Sequence, residues 1–298
     1  MKKECLLYQK LDNQGVECQN CAHYCRIKPG EKGICGIRKN INGKLYLLTY
    51  GRAVAENVDP IEKKPFFHFL PGSFTLSVAT VGCNFRCANC QNWQISQFPN
   101  FTTSDLETEK SGFDLPPEKI VQDALDNNCQ SIAYTYTEPT VFSEYALATM
   151  KLAQPAGLKN VWVSNGFQSK ELIKEIIPYL DAINIDLKAF SEKSYRQYFG
   201  GQLEPVLENL KKFKEAGIWL EITTLVIPTI TDSLKMFQEM AMWIKNNLGV
   251  ETPWHLSRFS GEISWKLKDL PDTPIEKVEQ AIRIAKKAGL KYVYPGNI

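Results

Sequence analysis

From residue 74 onward, short apolar runs alternate with segments that have the period of an amphipathic helix. The runs have the length and the β-branched and aromatic content of buried strands. In chain order they are FTLSVATVG, SIAYTYT, NVWVSNG, INIDLKA, WLEITTLVI, PWHLSRF and YVYPGN. Strands that are separated by helices pair in parallel, so the pattern predicts an α/β fold, either an open doubly wound sheet or a full or partial α/β barrel. In each case the functional site lies at the carboxyl ends of the strands.

Three of the intervening segments carry helix signals at their ends. Residues 205–216, PVLENLKKFKEA, begin with a proline that suits a first helical turn. A second helix is predicted to follow Asp232 and Ser233, which can cap it, and to end near Gly249. A third covers residues 275–288 and stops before Gly289. All three place apolar residues on one face, as helices that cover a sheet do.

The first 70 residues are rich in turns and do not share this alternation. An Asn-Gly pair, Asn42-Gly43, lies between two apolar segments and predicts a β-hairpin. A proline-punctuated connector, DPIEKKPFFHFLPGS, then leads into the first strand of the repeat. The sequence therefore predicts a small cysteine-containing N-terminal lobe over residues 1–70 and an α/β domain over residues 71–298.

Charge and cysteine usage limit the class of partner. Lys and Arg number 35 against 33 Asp and Glu, so no strong field favours nucleic acid or an anionic membrane. No stretch approaches the roughly 20 apolar residues of a membrane span. We therefore expect a cytoplasmic protein that binds neither nucleic acid nor membrane. Seven of the nine cysteines fall in two groups, within residues 18–35 and 83–90, and clustered thiols in a reducing compartment indicate metal binding.

The second group, Cys83, Cys87 and Cys90, follows directly on the first strand of the repeat. A structural zinc site uses four protein ligands, whereas three thiols leave one position open. A [4Fe–4S] cluster held by three cysteines leaves one iron free for another ligand in the same way. On spacing alone, two alternatives stay open: zinc completed by a remote ligand, or three buried cysteines without a metal.

The first group, Cys18, Cys21, Cys25 and Cys35, supplies four thiols and can close a tetrahedral site without help. Its ligand type and spacing fit zinc or a second [4Fe–4S] cluster, and a group without metal is the remaining alternative. Because these cysteines precede the repeat and the connector, we expect them to lie away from the three-cysteine site. The two other cysteines of the chain are expected to be ordinary buried or surface thiols.

Polar residues also stand where later strands of the repeat end. Ser164 and Asn165 precede a glycine and either bind ribose hydroxyls or form a simple turn. Asp186 and Lys188 occupy alternate positions of one strand and therefore share a face. Buried charges are costly unless paired, so these two indicate either a ligand or an internal ion pair.

The spacing Cys83-x3-Cys87-x2-Cys90 at the end of the first strand resembles the signature of the radical S-adenosylmethionine (radical SAM) superfamily. The similarity spans nearly the entire chain and is strongest to the pyruvate formate-lyase activating enzyme-like branch, particularly the radical SAM protein of the AmmeMemoRadiSam system. It is carried by CNFRCANCQNWQISQ, DPIEKKPFFHFLPGS, YTYTEPTVFSEY, INIDLKAF and PWHLSRF. The fold it implies is a partial (β/α)6 barrel of the radical SAM type.

The chain departs from this family pattern in two places. The residue before the third cysteine is often aromatic in the superfamily and is Asn89 in this chain, so Phe85 or Trp93 is expected to shield the cluster instead. Relatives usually continue past the last strand into a cysteine-containing tail, whereas this sequence stops at PGNI. We therefore expect either a natural short form or a fragment.

The resemblance implies that the three cysteines bind a [4Fe–4S] cluster and leave its fourth iron for S-adenosylmethionine (SAM). Reductive cleavage of SAM would release methionine and a 5′-deoxyadenosyl radical that abstracts hydrogen from a substrate. That substrate is either a partner protein, as for glycyl radical enzymes, or a small molecule. A reductant such as flavodoxin or ferredoxin would supply the electron.

The resemblance also implies SAM-binding roles for Thr137 and Glu138, for Asp186 and Lys188, and for His255. Taken alone, Thr137 and Glu138 fit an ordinary polar turn before proline, and a lone histidine in a strand is more often a satisfied core or surface residue. A function of another class is the alternative: an iron-sulfur redox sensor or metal-responsive binding protein without catalysis.

Overall fold

The computed structural model describes residues 2–102 and 104–298. The strands of this part of the chain are short in the first 53 residues and longer in the α/β repeat. In chain order they are β1 (Lys3–Glu4), β2 (Tyr8–Lys10), β3 (Val16–Cys18), β4 (Arg26–Ile27), β5 (Arg38–Ile41), β6 (Lys44–Leu47), β7 (Arg52–Ala53), β8 (Ala55–Pro60), β9 (Phe74–Ala79), β10 (Phe113–Asp114), β11 (Ser131–Tyr134), β12 (Lys159–Ser164), β13 (Ala182–Asp186), β14 (Trp219–Val226), β15 (Trp254–Arg258) and β16 (Val293–Gly296).

The main sheet has eight strands in the order β16-β15-β14-β13-β12-β11-β9-β8. Strands β9 and β11 to β16 run parallel to one another, and β8 pairs antiparallel with β9 at one edge. Each of the seven apolar runs identified in the sequence supplies one of the parallel strands. The predicted α/β fold with a parallel sheet is confirmed, and the sheet is of the open, partial-barrel type.

Helices connect the parallel strands and cover one face of the sheet. They are α1 (Trp93–Ser96), α2 (Phe98–Phe101), α3 (Asp105–Lys110), α4 (Pro117–Asp126), α5 (Ser143–Ala153), α6 (Lys170–Ile176), α7 (Glu192–Ser194), α8 (Leu203–Glu215), α9 (Leu234–Asn247) and α10 (Ile275–Ala288). One turn of π-helix, Tyr195–Phe199, follows α7. Within the described ranges, none of the helices combines the length and the apolar composition that crossing a membrane requires.

The three helices predicted from end signals correspond to α8, α9 and α10. Helix α8 begins at Leu203, two residues before the predicted start. The Ser233 side chain caps α9 by accepting a hydrogen bond from the Met236 backbone N–H at 3.1 Å, as predicted. Helix α10 ends before Gly289, whose φ of 104° lies in the left-handed region that favours glycine.

The two faces of the sheet are covered differently. Ile132, Trp162 and Ile183 point toward the helices and belong to the main hydrophobic core. Their strand neighbours Ala133, Val161 and Ala182 point to the other face, where Ile61 and Phe66 of the connector pack against them. The connector therefore fills the inside of the partial barrel at the amino-terminal half of its strands, and it leaves the carboxyl ends for the site.

The N-terminal lobe consists of two small antiparallel sheets, β1-β6-β5 and β2-β3-β4. The hairpin predicted at Asn42-Gly43 is confirmed: it joins β5 to β6, and both turn residues have the positive φ that short hairpin loops require. The predicted lobe, residues 1–70, also contributes to the main sheet, because β8 pairs with β9 from Ala55 opposite Ala79 to Pro60 opposite Phe74.

Candidate active site

The three-cysteine loop, residues 80–92, crosses the carboxyl end of β9. Its backbone is held by N–H groups of Gly82, Arg86 and Ala88, which donate to the carbonyl oxygens of Ile95, Phe199 and Tyr198 at 3.1, 2.9 and 2.7 Å respectively. Cys83 is buried, and the other two cysteines, Cys87 and Cys90, are half-buried. The loop thus keeps its shape through backbone hydrogen bonds and holds three thiols at the functional edge of the sheet.

The surroundings of these thiols fit a bound cationic cluster. Burial raises the pKa of Cys83 well above its ordinary value and that of Cys87 to about 12, although the Lys188 ammonium opposes the shift at Cys87. Such thiols stay protonated unless a metal takes the place of their protons. The Phe85 N–H donates to Cys83 Sγ at 3.4 Å, a contact that also stabilises a thiolate. In the described part of the chain, no three potential ligand side chains already meet in coordination geometry.

Glu138 lies at the centre of a polar network beyond β11. Its buried carboxylate accepts hydrogen bonds from the N–H and hydroxyl of Thr140, from Ser164 Oγ at 2.7 Å and from the Asn165 N–H at 2.8 Å. Burial raises the pKa of Glu138, and these donors counteract the shift. The carboxylate therefore fixes the ends of β11 and β12 relative to each other.

This network reaches the three-cysteine loop. Asn165 Nδ2 donates to Asn84 Oδ1 at 2.7 Å, and Thr137 Oγ1 donates to the Thr80 carbonyl oxygen at 2.8 Å. The structure thus brings together four of the residues that sequence singled out, Thr137, Glu138, Ser164 and Asn165. In this arrangement the Glu138 carboxylate already has four donors and acts as a support for its neighbours.

Asp186 and Lys188 form an ion pair of 2.8 Å at the end of β13. The pair lies beside Cys87, and the Lys188 N–H donates to the hydroxyl of buried Tyr195 at 3.1 Å. Burial lowers the pKa of Lys188, but the negative charge of Asp186 and its hydrogen bond to the ammonium outweigh this effect and raise the pKa overall. Asp186 keeps 37% of its side chain exposed. The internal pair anticipated as one alternative therefore exists, and it faces the cysteine loop.

His255 occupies a different part of the sheet. Its Nε2 atom lies 2.6 Å from Glu221 Oε2, and Glu221 also accepts the N–H groups of Phe67 and His68 in the connector at 3.1 and 3.0 Å. The His255 ring contacts those of Phe67 and Tyr294. These are the contacts of a satisfied core histidine, and its SAM-binding role stays a prediction.

The four N-terminal cysteines share one small cavity, called here the four-thiol cavity. It has a volume of about 20 Å³, and its lining residues are Cys18, Asn20, Cys21, His23, Cys25, Gly33, Ile34, Cys35, Arg38, Asn84 and Val141. Asn84 belongs to the three-cysteine loop, and His23 Nε2 lies 2.9 Å from its carbonyl oxygen. The expectation that these cysteines lie away from the three-cysteine site is therefore wrong, because the lobe folds back onto the loop.

Sequence reasoning missed several residues of this region. Asn84 and Arg86 lie between the cysteines of the Cys-x3-Cys-x2-Cys spacing, and the spacing alone gives them no role. Glu221 is a charged residue within an apolar strand, which is the same signal that identified Asp186 and Lys188. Phe85 is buried and packs against the rings of His23 and Phe167. Trp93 stacks on Trp265 with ring centroids 6.4 Å apart. Cluster shielding by either aromatic residue stays a prediction.

Comparison with known proteins agrees with this geometry. Residues 77–244 match the model of the Radical SAM superfamily. The chain is 44% identical over 296 residues to the uncharacterized protein MJ0808 of Methanocaldococcus jannaschii, covering 99% of this chain and 85% of that protein. It is 22% identical over 207 residues to the pyruvate formate-lyase-activating enzyme of Clostridium pasteurianum, covering 66% and 83%.

The fold is also found among solved structures. Streptococcus suis SuiB bound to S-adenosylmethionine superimposes with a TM-score of 0.54 at 14% identity, over 76% of this chain and 51% of that one. At this identity the likeness concerns the fold alone. The family match covers more than half of the chain and includes the carboxyl end of β9, the three-cysteine loop and the strand ends that carry Glu138, Asn165 and Asp186. The chain belongs to the radical SAM superfamily, which implies a [4Fe–4S] cluster and SAM as its cofactors.

Proposed function

We propose that the chain is a radical SAM enzyme of the activating-enzyme type, related to the AmmeMemoRadiSam system protein. The observation that supports this most is the three-cysteine loop at the carboxyl ends of the strands, with its thiols buried beside polar strand ends. Cys83, Cys87 and Cys90 would hold a [4Fe–4S] cluster. When bound and reduced, that cluster supplies the electron that splits SAM into methionine and a hydrogen-abstracting 5′-deoxyadenosyl radical.

The residues around the loop would bind and orient SAM. Asp186 and Lys188 present one acceptor and one donor beside Cys87, which suits the zwitterionic methionine end of SAM. Glu138 would hold Ser164 and Asn165 in place at the end of β12, next to the bound ligand. Thr137 is part of the same support through the Thr80 carbonyl oxygen.

The substrate is proposed to be a protein of the glycyl radical enzyme kind or, failing that, a small molecule. The similarity to an activating enzyme of Clostridium pasteurianum supports the first. A cytoplasmic reductant such as flavodoxin or ferredoxin would serve the cluster, and the nine free thiols of the chain suit that reducing compartment.

The rival function is an iron-sulfur sensor, and one experiment separates the two. Anaerobically reconstituted protein is incubated with SAM and dithionite, and 5′-deoxyadenosine is measured by liquid chromatography and mass spectrometry. We expect 5′-deoxyadenosine to accumulate, since the buried polar strand ends serve no purpose in a sensor. The triple variant Cys83→Ala, Cys87→Ala, Cys90→Ala is the control. A sample with full cluster loading that binds SAM and forms no 5′-deoxyadenosine supports the sensor instead.

Lys188→Met is expected to weaken SAM binding without removing the cluster. One charge-assisted contact contributes about 1.5 to 3 kcal/mol, or roughly 10- to 150-fold in Kd. The measurement is a SAM titration of the reduced cluster's electron paramagnetic resonance spectrum at matched iron content.

Lys193→Met is the matched control for that titration, because Lys193 is an exposed lysine of α7. We expect it to titrate like the parent. If Lys188→Met does the same, Lys188 supports the fold and does not bind SAM.

A further inference from the structure

The four-thiol cavity has the properties of a metal site in its own right. The thiols of Cys18, Cys21, Cys25 and Cys35 line it together. Cys18, Cys21 and Cys35 are buried and Cys25 is half-buried. Thiols grouped in this way can bind a cation that takes the place of their protons.

The size of the cavity distinguishes between the two metals that spacing left open. Its volume of about 20 Å³ is close to that of one water-sized particle. A single ion fits this space as it stands, whereas a [4Fe–4S] cluster would require the four thiols to move apart. His23 is not needed as a ligand, because its Nε2 donates to the Asn84 carbonyl oxygen. Four thiolates complete the tetrahedral sphere that structural zinc prefers.

Two residues of the three-cysteine loop connect it to this site: within residues 2–102 and 104–298, Asn84 has an unpaired side-chain amide nitrogen, and Arg86 has a positive charge without a carboxylate partner. Asn84 is 1% exposed and lines the cavity, and its Nδ2 has no acceptor among the residues that the structure describes. A metal-bound thiolate is an acceptor of the kind that this amide lacks.

Arg86 provides the counter-charge. Its guanidinium donates to the carbonyl oxygens of Ile34 in the lobe and of Cys83 in the loop, the latter at 3.0 Å. No carboxylate of the described residues pairs with it. Through Ile34, which lines the cavity, Arg86 connects the three-cysteine loop to the four-thiol site. Arg38 also lines the cavity, but Glu144 neutralises it.

We propose that the four-thiol cavity binds one Zn²⁺ ion and that this zinc site holds the three-cysteine loop in position through Asn84 and Arg86. On binding, four Zn–S bonds form and the four thiol protons pass to solvent. The site then carries two net negative charges, one of which the Arg86 guanidinium offsets, and the zinc-bound lobe holds the three-cysteine loop in position.

The first test uses the variant that lacks Cys83, Cys87 and Cys90, so that its outcome does not depend on SAM chemistry. Metal content is measured by inductively coupled plasma mass spectrometry after purification from medium that contains both iron and zinc. We expect one zinc per chain and no stoichiometric iron. Stoichiometric iron would overturn the proposal in favour of a second cluster, and absence of any tightly bound metal, also after addition of zinc, would overturn it altogether.

Single substitutions on the same background identify the ligands. Cys21→Ser and Cys25→Ser are expected to lose the zinc, whereas Cys129→Ser, a buried thiol outside both groups, is expected to keep it. Cys25 is only half-buried, so its variant remains informative if Cys21→Ser does not fold. Retention of one zinc in both ligand variants would reject the four-thiol site.

The role of Arg86 is tested by zinc release to a chromogenic chelator. Arg86→Gln is expected to weaken zinc binding by about tenfold or more, since it removes the positive charge next to the site and the hydrogen bond to the Ile34 carbonyl oxygen. Arg196→Gln, which removes an exposed arginine paired with Glu192, is the control and should leave the release unchanged. Identical release from Arg86→Gln and the parent would show that the zinc site and the loop are independent.

Discussion

Replacing Cys83, Cys87 or Cys90 with alanine is expected to reduce 5′-deoxyadenosine formation to the level seen without protein. Each thiolate is one of three protein ligands of the proposed cluster, so its loss leaves an iron without its protein ligand. The fold should persist, because backbone hydrogen bonds to Ile95, Tyr198 and Phe199 hold the loop. Iron content, far-ultraviolet circular dichroism and 5′-deoxyadenosine are measured on each variant.

Cys129→Ala is the control for this series, since that thiol is buried outside both cysteine groups. It should retain the parent's iron content and activity. Full iron content together with full SAM cleavage in any of the three alanine variants would remove the corresponding cysteine from the cluster site. Loss of structure in a variant would show up in the dichroism spectrum and would be distinguished from loss of the cluster alone.

Glu144→Gln is expected to have the largest effect on stability. Arg38 and Glu144 are each 2% exposed and form a two-point ion pair that joins β5 of the lobe to α5. Arg38 also donates to the Val141 carbonyl oxygen and to Ser143 Oγ. Removing one partner of a buried pair leaves the other charge uncompensated and typically costs about 3 to 5 kcal/mol of the free energy of unfolding.

This cost is measured by anaerobic urea denaturation of parent and variant at equal metal content. Glu4→Gln is the matched control, because the Glu4–Lys44 pair is exposed and solvent screens its attraction, so its loss should have little effect on stability. The double variant Arg38→Met, Glu144→Met should lose less than Glu144→Gln does, since it leaves no unpaired charge. Equal unfolding midpoints for Glu144→Gln and Glu4→Gln would contradict the assignment.

The local sequence pattern was sufficient to predict the parallel strands of this protein and the position of its three-cysteine loop. The seven apolar runs mark the seven parallel strands, and the position of Cys83 after the first of them places the loop at the carboxyl edge. The alternation of Asp186 and Lys188 likewise predicted two charges on one face, and the structure pairs them. Each of these inferences depends on residues close together in sequence.

Contacts between distant segments were not accessible in this way. Glu221 and His255 are 34 residues apart and meet because β14 and β15 are neighbours. The polar segment AENVDP gives no strand signal of its own, yet it forms β8 because β9 offers it an edge. The contacts of Asn84 and Arg86 with the lobe form only when the lobe folds against the three-cysteine loop. They join residues that are more than 50 positions apart in the sequence.

The connector that fills the barrel also limits how reactants arrive. Phe66 packs against β11, β12 and β13, and Lys64 pairs with buried Asp59. Glu221 accepts hydrogen bonds from the N–H groups of Phe67 and His68. These contacts close the inside of the partial barrel at the amino-terminal ends of its strands. Ligands of the proposed site would then enter and leave at the carboxyl ends of the strands, beside the three-cysteine loop.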